Sequence, residues 1–234
     1  MIPIKTESAW RGTSDCRHCG IRDMVLFADL DEQDFSTIHT PIDDLEFKKG
    51  STLFDRSSRS HGIYTLRKGM VKLVRVTADG RQRIVRVLKP GDVVGLEALT
   101  SPCYDSDAVA LTDVSVCRIP VDVIFKLGAN NQRLHLKLMQ KWQQTVKDAD
   151  DWLADLNFGT ARQRVSNLML KMRSPDDLEM TTLFSRDDMG AMLDLKMETV
   201  SREINQLVRE EVIEQLDRLG RVYRICNSAL LMTT

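Results

Sequence analysis

The spacing of apolar residues changes once along this chain, at Pro120, and that change limits the folds open to it. Before it, β-branched runs at 62–68, 70–76, 82–88 and 114–119 are separated by turn residues. The alternation of Met70 to Val76 runs into Ala78-Asp79-Gly80 and resumes at Gln82, the pattern of a hairpin with an Asp-Gly turn. Pro90-Gly91 ends one strand and Pro120 another. Many short strands with regular turns predict a sandwich or roll, and no helix–strand alternation points to a doubly wound sheet. After Pro120, Leu134, Leu138, Trp142, Thr145, Ala149, Trp152 and Leu156 follow one another at spacings of three and four. That is an amphipathic helix with a heptad-like seam. Such a face can pack on the chain's own strands or pair with a second copy, and the spacing leaves both open.

Beyond Gly159 come three helical stretches, at 162–172, 185–193 and 197–212, and then a short hairpin over 212–226 with Leu219-Gly220 near its turn. Ser185 is placed to cap the second helix by accepting from the amide of Asp188. A short helix, a tight connection, a longer helix and a hairpin make a winged helix–turn–helix. Met189, Met192, Leu193, Leu195, Val200, Ile204 and Leu207 fit its core. Lys196, Glu198, Thr199, Ser201, Arg202 and Asn205 then lie on outward or flanking faces. Arginine pairs bidentately with guanine and glutamate accepts from cytosine N4, so this face can read base edges. Glu198 and Arg202 are equally a standard i, i+4 ion pair.

The formal net charge of −1 supplies no global field for nucleic acid, so any DNA binding rests on a local patch. Between 185 and 225 seven basic side chains face nine acidic ones, which requires the acids to lie away from the DNA. With 42% hydrophobic and 29% charged residues in 234, the chain has the composition of a globular protein. It holds no run of about 18 apolar residues, so no membrane partner is expected. The first residues lack an apolar signal core, which predicts a cytoplasmic protein with reduced cysteines. A roll of strands can also hold a catalytic metal, but of the histidines only His61 falls in the strand region, so an enzyme is not expected.

The stretch "MGAMLDLKMETVSREINQL" resembles the recognition region of the CRP/FNR superfamily of bacterial transcription regulators. "LRKGMVKLVRVTADGRQRIVRVLKPGDVVGLEAL" resembles that family's effector domain. The resemblance implies an α+β protein: an N-terminal segment over 1–26, a double-stranded β-roll of the cyclic-nucleotide-binding kind over 27–128, a long dimerisation helix over 129–158 and a winged helix–turn–helix DNA-binding domain over 159–234. It implies a homodimer, an activator or a repressor, that binds palindromic double-stranded DNA and works with RNA polymerase. "E-T-V-S-R" resembles the FNR branch, which implies that Glu198, Ser201 and Arg202 contact bases of TTGAT-like half-sites, with Lys196 and Thr199 directed to phosphate. Where the family usually has glycine in the turn, this chain has Asp194, expected in a left-handed conformation that aspartate tolerates.

The resemblance also bears on the effector. Cyclic-nucleotide members hold the phosphate with an Arg-Ser pair, which here falls on Tyr104-Asp105, and no arginine lies between Arg86 and Arg118. Cyclic AMP is therefore not expected, although a sheet-lined cavity is, and another small molecule in the roll or constitutive DNA binding are the alternatives. FNR-type members hold an iron–sulfur cluster on an N-terminal cysteine cluster and one cysteine of the roll. Cys16, Cys19 and Cys117 match three of those positions, while Val25 stands where a further cysteine is expected. His18, Asp23 or Cys103 would complete a cluster. The Cys-x-x-Cys alone is equally compatible with zinc, a redox dithiol or a vestigial site, and His18, His39, His61 and His135 leave heme open.

Overall fold

The computed structural model describes residues 43–129 and 131–233. Cys16, His18, Cys19, Asp23, Val25 and His39 lie outside the described residues. Close contacts gather the described chain into two compact units, residues 43–75 with 85–146 and residues 76–84 with 147–233.

The strands before the long helix are β1 (Asp43–Phe47), β2 (Thr52–Phe54), β3 (Gly62–Lys68), β4 (Val71–Val76), β5 (Gln82–Leu88), β6 (Val93–Val94), β7 (Asp107–Ala110) and β8 (Val114–Pro120), of which residues 76–84 at the β4–β5 turn count with the second unit. They form two four-stranded sheets, ordered β1-β8-β3-β6 and β2-β7-β4-β5, which are the β-roll. In the central antiparallel pair Ile63 stands opposite Ile119 and Leu66 opposite Val116, all four buried. The expected Asp-Gly hairpin between β4 and β5 is present, closed by the amide of Thr77 donating to the carbonyl of Arg81 at 2.9 Å.

Two helices close this core: α1 (Val121–Gly128) and α2 (Gln132–Leu156). Val123, Ile124 and Leu127 of α1 and Leu134 and Leu138 of α2 join the same apolar cluster as the strands. Each fully buried leucine contributes about 1.5–3 kcal/mol of transfer free energy. Farther along α2, Trp152 and Leu156 are buried as well. The seam read from the sequence is thus the face the chain buries within itself. A second apolar stripe stays outside: Leu136, Met139, Val146 and Leu153 are 58%, 66%, 59% and 53% exposed. At about 100° per residue these four share an arc of roughly 100° on the side of the helix flanking the buried seam.

The second unit contains α3 (Ala161–Lys171), β9 (Met180–Thr182), α4 (Arg186–Leu193), α5 (Met197–Arg209), β10 (Ile213–Gln215), β11 (Val222–Ile225) and α6 (Ser228–Thr233). Thr160 starts α3 with a capping box: its hydroxyl accepts from the amide of Gln163 at 3.2 Å, and the Gln163 side chain accepts from the amide of Thr160 at 2.8 Å. Of the core predicted for the helix–turn–helix, Met189, Met192, Leu193, Val200, Ile204 and Leu207 are buried, and Leu195 is half-buried. Two boundaries differ from expectation. α5 ends at Arg209, where Glu211 takes a φ of 57° and turns the chain into β10. The wing gains a third strand, because Met180–Thr182 pairs with β11 to give the order β10-β11-β9. No described helix is long and apolar enough to cross a membrane.

Candidate DNA interface

The helix–turn–helix is assembled from local chemistry that the sequence displays. The Ser185 hydroxyl accepts from the amide of Asp188 at 3.1 Å and donates to its carboxylate at 2.7 Å, so α4 begins where the cap was expected. At its other end Asp194 sits at φ 54°, ψ 46°, in the left-handed region, and its amide donates to the carbonyl of Gly190. The Leu195 amide donates to the same carbonyl at 3.1 Å. A Cβ at Gly190 would lie 2.6 Å from the Leu195 carbonyl oxygen, so only glycine lets the turn fold back this closely. Arg164 of α3 donates to the Leu193 carbonyl at 2.7 Å, placing a cation at the negative end of α4.

α5 divides cleanly. Val200, Ile204 and Leu207 are buried, while Glu198, Arg202 and Asn205 are exposed on the opposite side with Ser201 half-buried beside them. Lys196 is exposed at the N-cap, where no side chain caps the first turn, and Thr199 is half-buried at the flank. The i, i+4 pair that the spacing also allowed does not form among the described residues. Arg202 Nε lies 3.5 Å from Glu203 Oε1, and among the described residues Glu198 makes no ion pair.

The surplus of acids noted in the sequence is largely engaged. Arg162 of α3 holds Glu210 with a two-pronged ion pair, one bond at 3.0 Å, and Gln206 donates to the same carboxylate at 2.8 Å. These bonds, Arg162 first, depress the Glu210 carboxyl to about 2. Glu214 pairs with Arg224 at 3.1 Å across the wing. Asp217 accepts from the amides of Leu219, Arg221 and Val222, which shapes the wing turn, and the Val222 bond leads in pulling its carboxyl down. The wing is tied to α4 by Arg186, which donates to the Tyr223 hydroxyl at 2.7 Å.

In the roll, the glycine closing the Gly91-Asp92-Val93-Val94-Gly95 turn has a φ of 81° and is packed under aromatic rings. A Cβ there would come within 2.9 Å of Tyr104 and 3.4 Å of Phe54. Tyr104 is 3% exposed, stacks on Phe54 at 3.7 Å between centroids, and donates to the Gly62 carbonyl at 2.6 Å. These rings pack directly beside this turn, where Tyr104 stands at the position of the family's arginine.

Two family models match this chain: a cyclic nucleotide-binding domain over residues 44–131 and a Crp-like helix-turn-helix domain over residues 159–233. The fumarate and nitrate reduction regulatory protein of Vibrio cholerae is 26% identical over 226 residues, 93% of this chain and 88% of the relative. The transcriptional activator protein FnrA of Stutzerimonas stutzeri is 26% identical over 91% of this chain and 89% of its own. Among solved structures, FixK2 from Bradyrhizobium japonicum superposes with a TM-score of 0.74 at 26% identity, covering 83% of this chain and 97% of that one. The chain belongs to the CRP/FNR family. It is a DNA-binding transcription regulator and not an enzyme.

Within this CRP/FNR regulator, the five residues expected at DNA fall into one region, the start of α5 and its exposed face. Of the three cysteines expected at a cofactor, Cys117 alone lies among the described residues. Cys117 is half-buried in β8, packed against the roll core and opposite Asp44 and Thr65 in the sheet, whereas Cys16 and Cys19 lie outside the description. Cys103 is half-buried, and His61 and His135 are exposed. No group of three histidine, cysteine or acidic side chains suited to a metal occurs among the described residues. Sequence reasoning missed the Arg162–Glu210 brace and the exposed stripe of α2. The first spans 48 residues and has no local signature. The second is written in the sequence as Leu136, Met139, Val146 and Leu153, at spacings of three and seven.

Proposed function

We propose that this regulator acts as a homodimer that reads paired TTGAT-like half-sites and answers to a redox, oxygen or nitric oxide signal. The observation that carries the reading is the polar face of α5. Glu198 and Arg202 stand on the side opposite the buried Val200, Ile204 and Leu207, Ser201 is half-buried beside them, and Lys196 and Thr199 are at the rim for phosphate. Glutamate and arginine at this spacing suit cytosine N4 and guanine O6/N7. The second copy is suggested by the apolar stripe of α2, four large side chains each more than half exposed on a helix whose other face is already buried. Two-fold pairing of that stripe would set two reading helices on one palindrome, with RNA polymerase as the downstream partner in the cytoplasm.

The signal rests on chemistry and on relatives. Similar proteins carry names such as anaerobic regulatory protein and fumarate and nitrate reduction regulatory protein. Cys16, Cys19 and Cys117 supply three thiolates, one fewer than a four-cysteine cluster takes, so an iron–sulfur centre here would need a further donor. Bound, such a centre would supply an oxidisable group, while these cysteines would hold it. Cyclic nucleotide control is disfavoured because Tyr104-Asp105 stands where cyclic-nucleotide members carry Arg-Ser, and no arginine lies between Arg86 and Arg118.

Two experiments test this reading. Gel-shift titrations of a TTGAT–N4–ATCAA duplex against a scrambled one should favour the palindrome; equal affinity for both would refute the assigned base contacts. Protein purified without oxygen should carry iron and acid-labile sulfide that are lost in air. A colourless protein lacking both would remove the cluster and leave thiol chemistry.

A further inference from the structure

The exposed face of α5 continues past the residues the family pattern assigns. At about 100° per residue, Asn205 and Arg209 each fall within roughly 20° of Glu198 around the helix, on the side away from Val200, Ile204 and Leu207. Both are exposed. Neighbouring polar groups are already engaged: Gln206 donates to Glu210, Glu210 is held by Arg162, and Glu203 lies against Arg202. The Asn205 amide has no such partner among the described side chains, so its donor and acceptor are both presented outward.

Position along the axis separates their roles. With about 1.5 Å of rise per residue, Asn205 stands roughly 10 Å beyond Glu198 and Arg209 roughly 16 Å beyond it. A recognition helix reaches base edges from its N-terminal part, so Asn205, about two turns from Glu198, stays near the bases while Arg209, about a further turn on, lies toward the backbone. We propose that Asn205 is a further specificity residue, reading adenine through N6 and N7, and that Arg209 ends the same stripe on a backbone phosphate. Asparagine's paired amide donor and acceptor match adenine's major-groove edge, and a cation beyond the groove meets phosphate oxygen. The inference rests on the base-reading role of α5 proposed above.

The test is a bind-and-sequence comparison on the full-length protein. A duplex library keeps the spacing of a symmetric site and randomises every half-site and flanking position. Wild type, Arg202→Ala, Asn205→Ala and Arg209→Ala are compared at two salt concentrations. Asn205→Ala should relax one adenine preference by roughly 5- to 100-fold and leave the position governed by Arg202 intact. Arg209→Ala should weaken all sequences alike and lower the salt slope by about one. Unchanged melting curves would confirm that both variants fold, as expected for exposed side chains. If Asn205→Ala leaves every base preference in place, or Arg209→Ala alters a base preference, the inference is overturned. Should wild type enrich no motif, or Arg202→Ala change none, the underlying function fails instead, so the two failures are distinguishable.

Discussion

Arg202 directs its guanidinium toward Glu203 and not toward Glu198, which leaves the glutamate unpaired on the exposed side of α5. An ordinary solvated helix would gain a few tenths of a kcal/mol by joining the two. Replacing Arg202 with alanine should therefore cost little in stability but about 1–3 kcal/mol in binding, read as lost preference at one base pair in competition assays. Uniform weakening across sequences would make Arg202 a phosphate contact. Tyr104 belongs to the same scale. Its ring lies in the roll on Phe54, so Tyr104→Ala should destabilise the protein by about 3–5 kcal/mol in denaturant titrations. Tyr104→Phe removes only the bond to Gly62 and should cost about 1 kcal/mol. Ser185 was legible from the residues alone, because a cap is decided within four positions of the chain, whereas the left-handed turn at Asp194 followed from the family resemblance. Tyr104 was legible only as a missing arginine, since the ring it stacks on is 50 residues away in sequence.

Elements show the same division. Strand alternation and the Asp-Gly turn located β3, β4, β5 and β8 closely, because half-buried strands write a period of two into the chain. β2, β6 and β9 have two or three residues each, too few for a period, and form because neighbours present ladder partners. Helix α2 carries two apolar faces, and spacing alone selected the one that is buried internally. Helix α3 is held to α5 by Arg162 and Glu210, and this contact has a pH signature. The Glu210 carboxyl lies at about 2 against an ordinary value of 4.5, the depressed case. Its stabilisation is therefore complete above about pH 4.5 and disappears as the pH falls toward 2. Melting temperatures of wild type and Glu210→Gln should differ at pH 6 and converge in acid; a constant gap would show that the charge is not what matters.

For the whole molecule, the composition gave a modest net charge and no hint of nucleic acid, and the order of roll, long helix and winged helix was readable from two motifs at their separation. Which face of α2 remains outside was not, since that depends on how the chain packs the other. Val146→Glu adds charge to an exposed position of the stripe and should leave each chain folded while shifting the protein to monomers in sedimentation. A dimer that persists would place the interface elsewhere. The most direct measurement is selection of bound DNA from a fully random duplex library by the wild-type protein. A two-fold symmetric motif with TTGAT-like halves about one helical turn apart is the predicted result. An asymmetric motif, or enrichment no greater than that of the input library, would contradict a dimer that reads bases with α5.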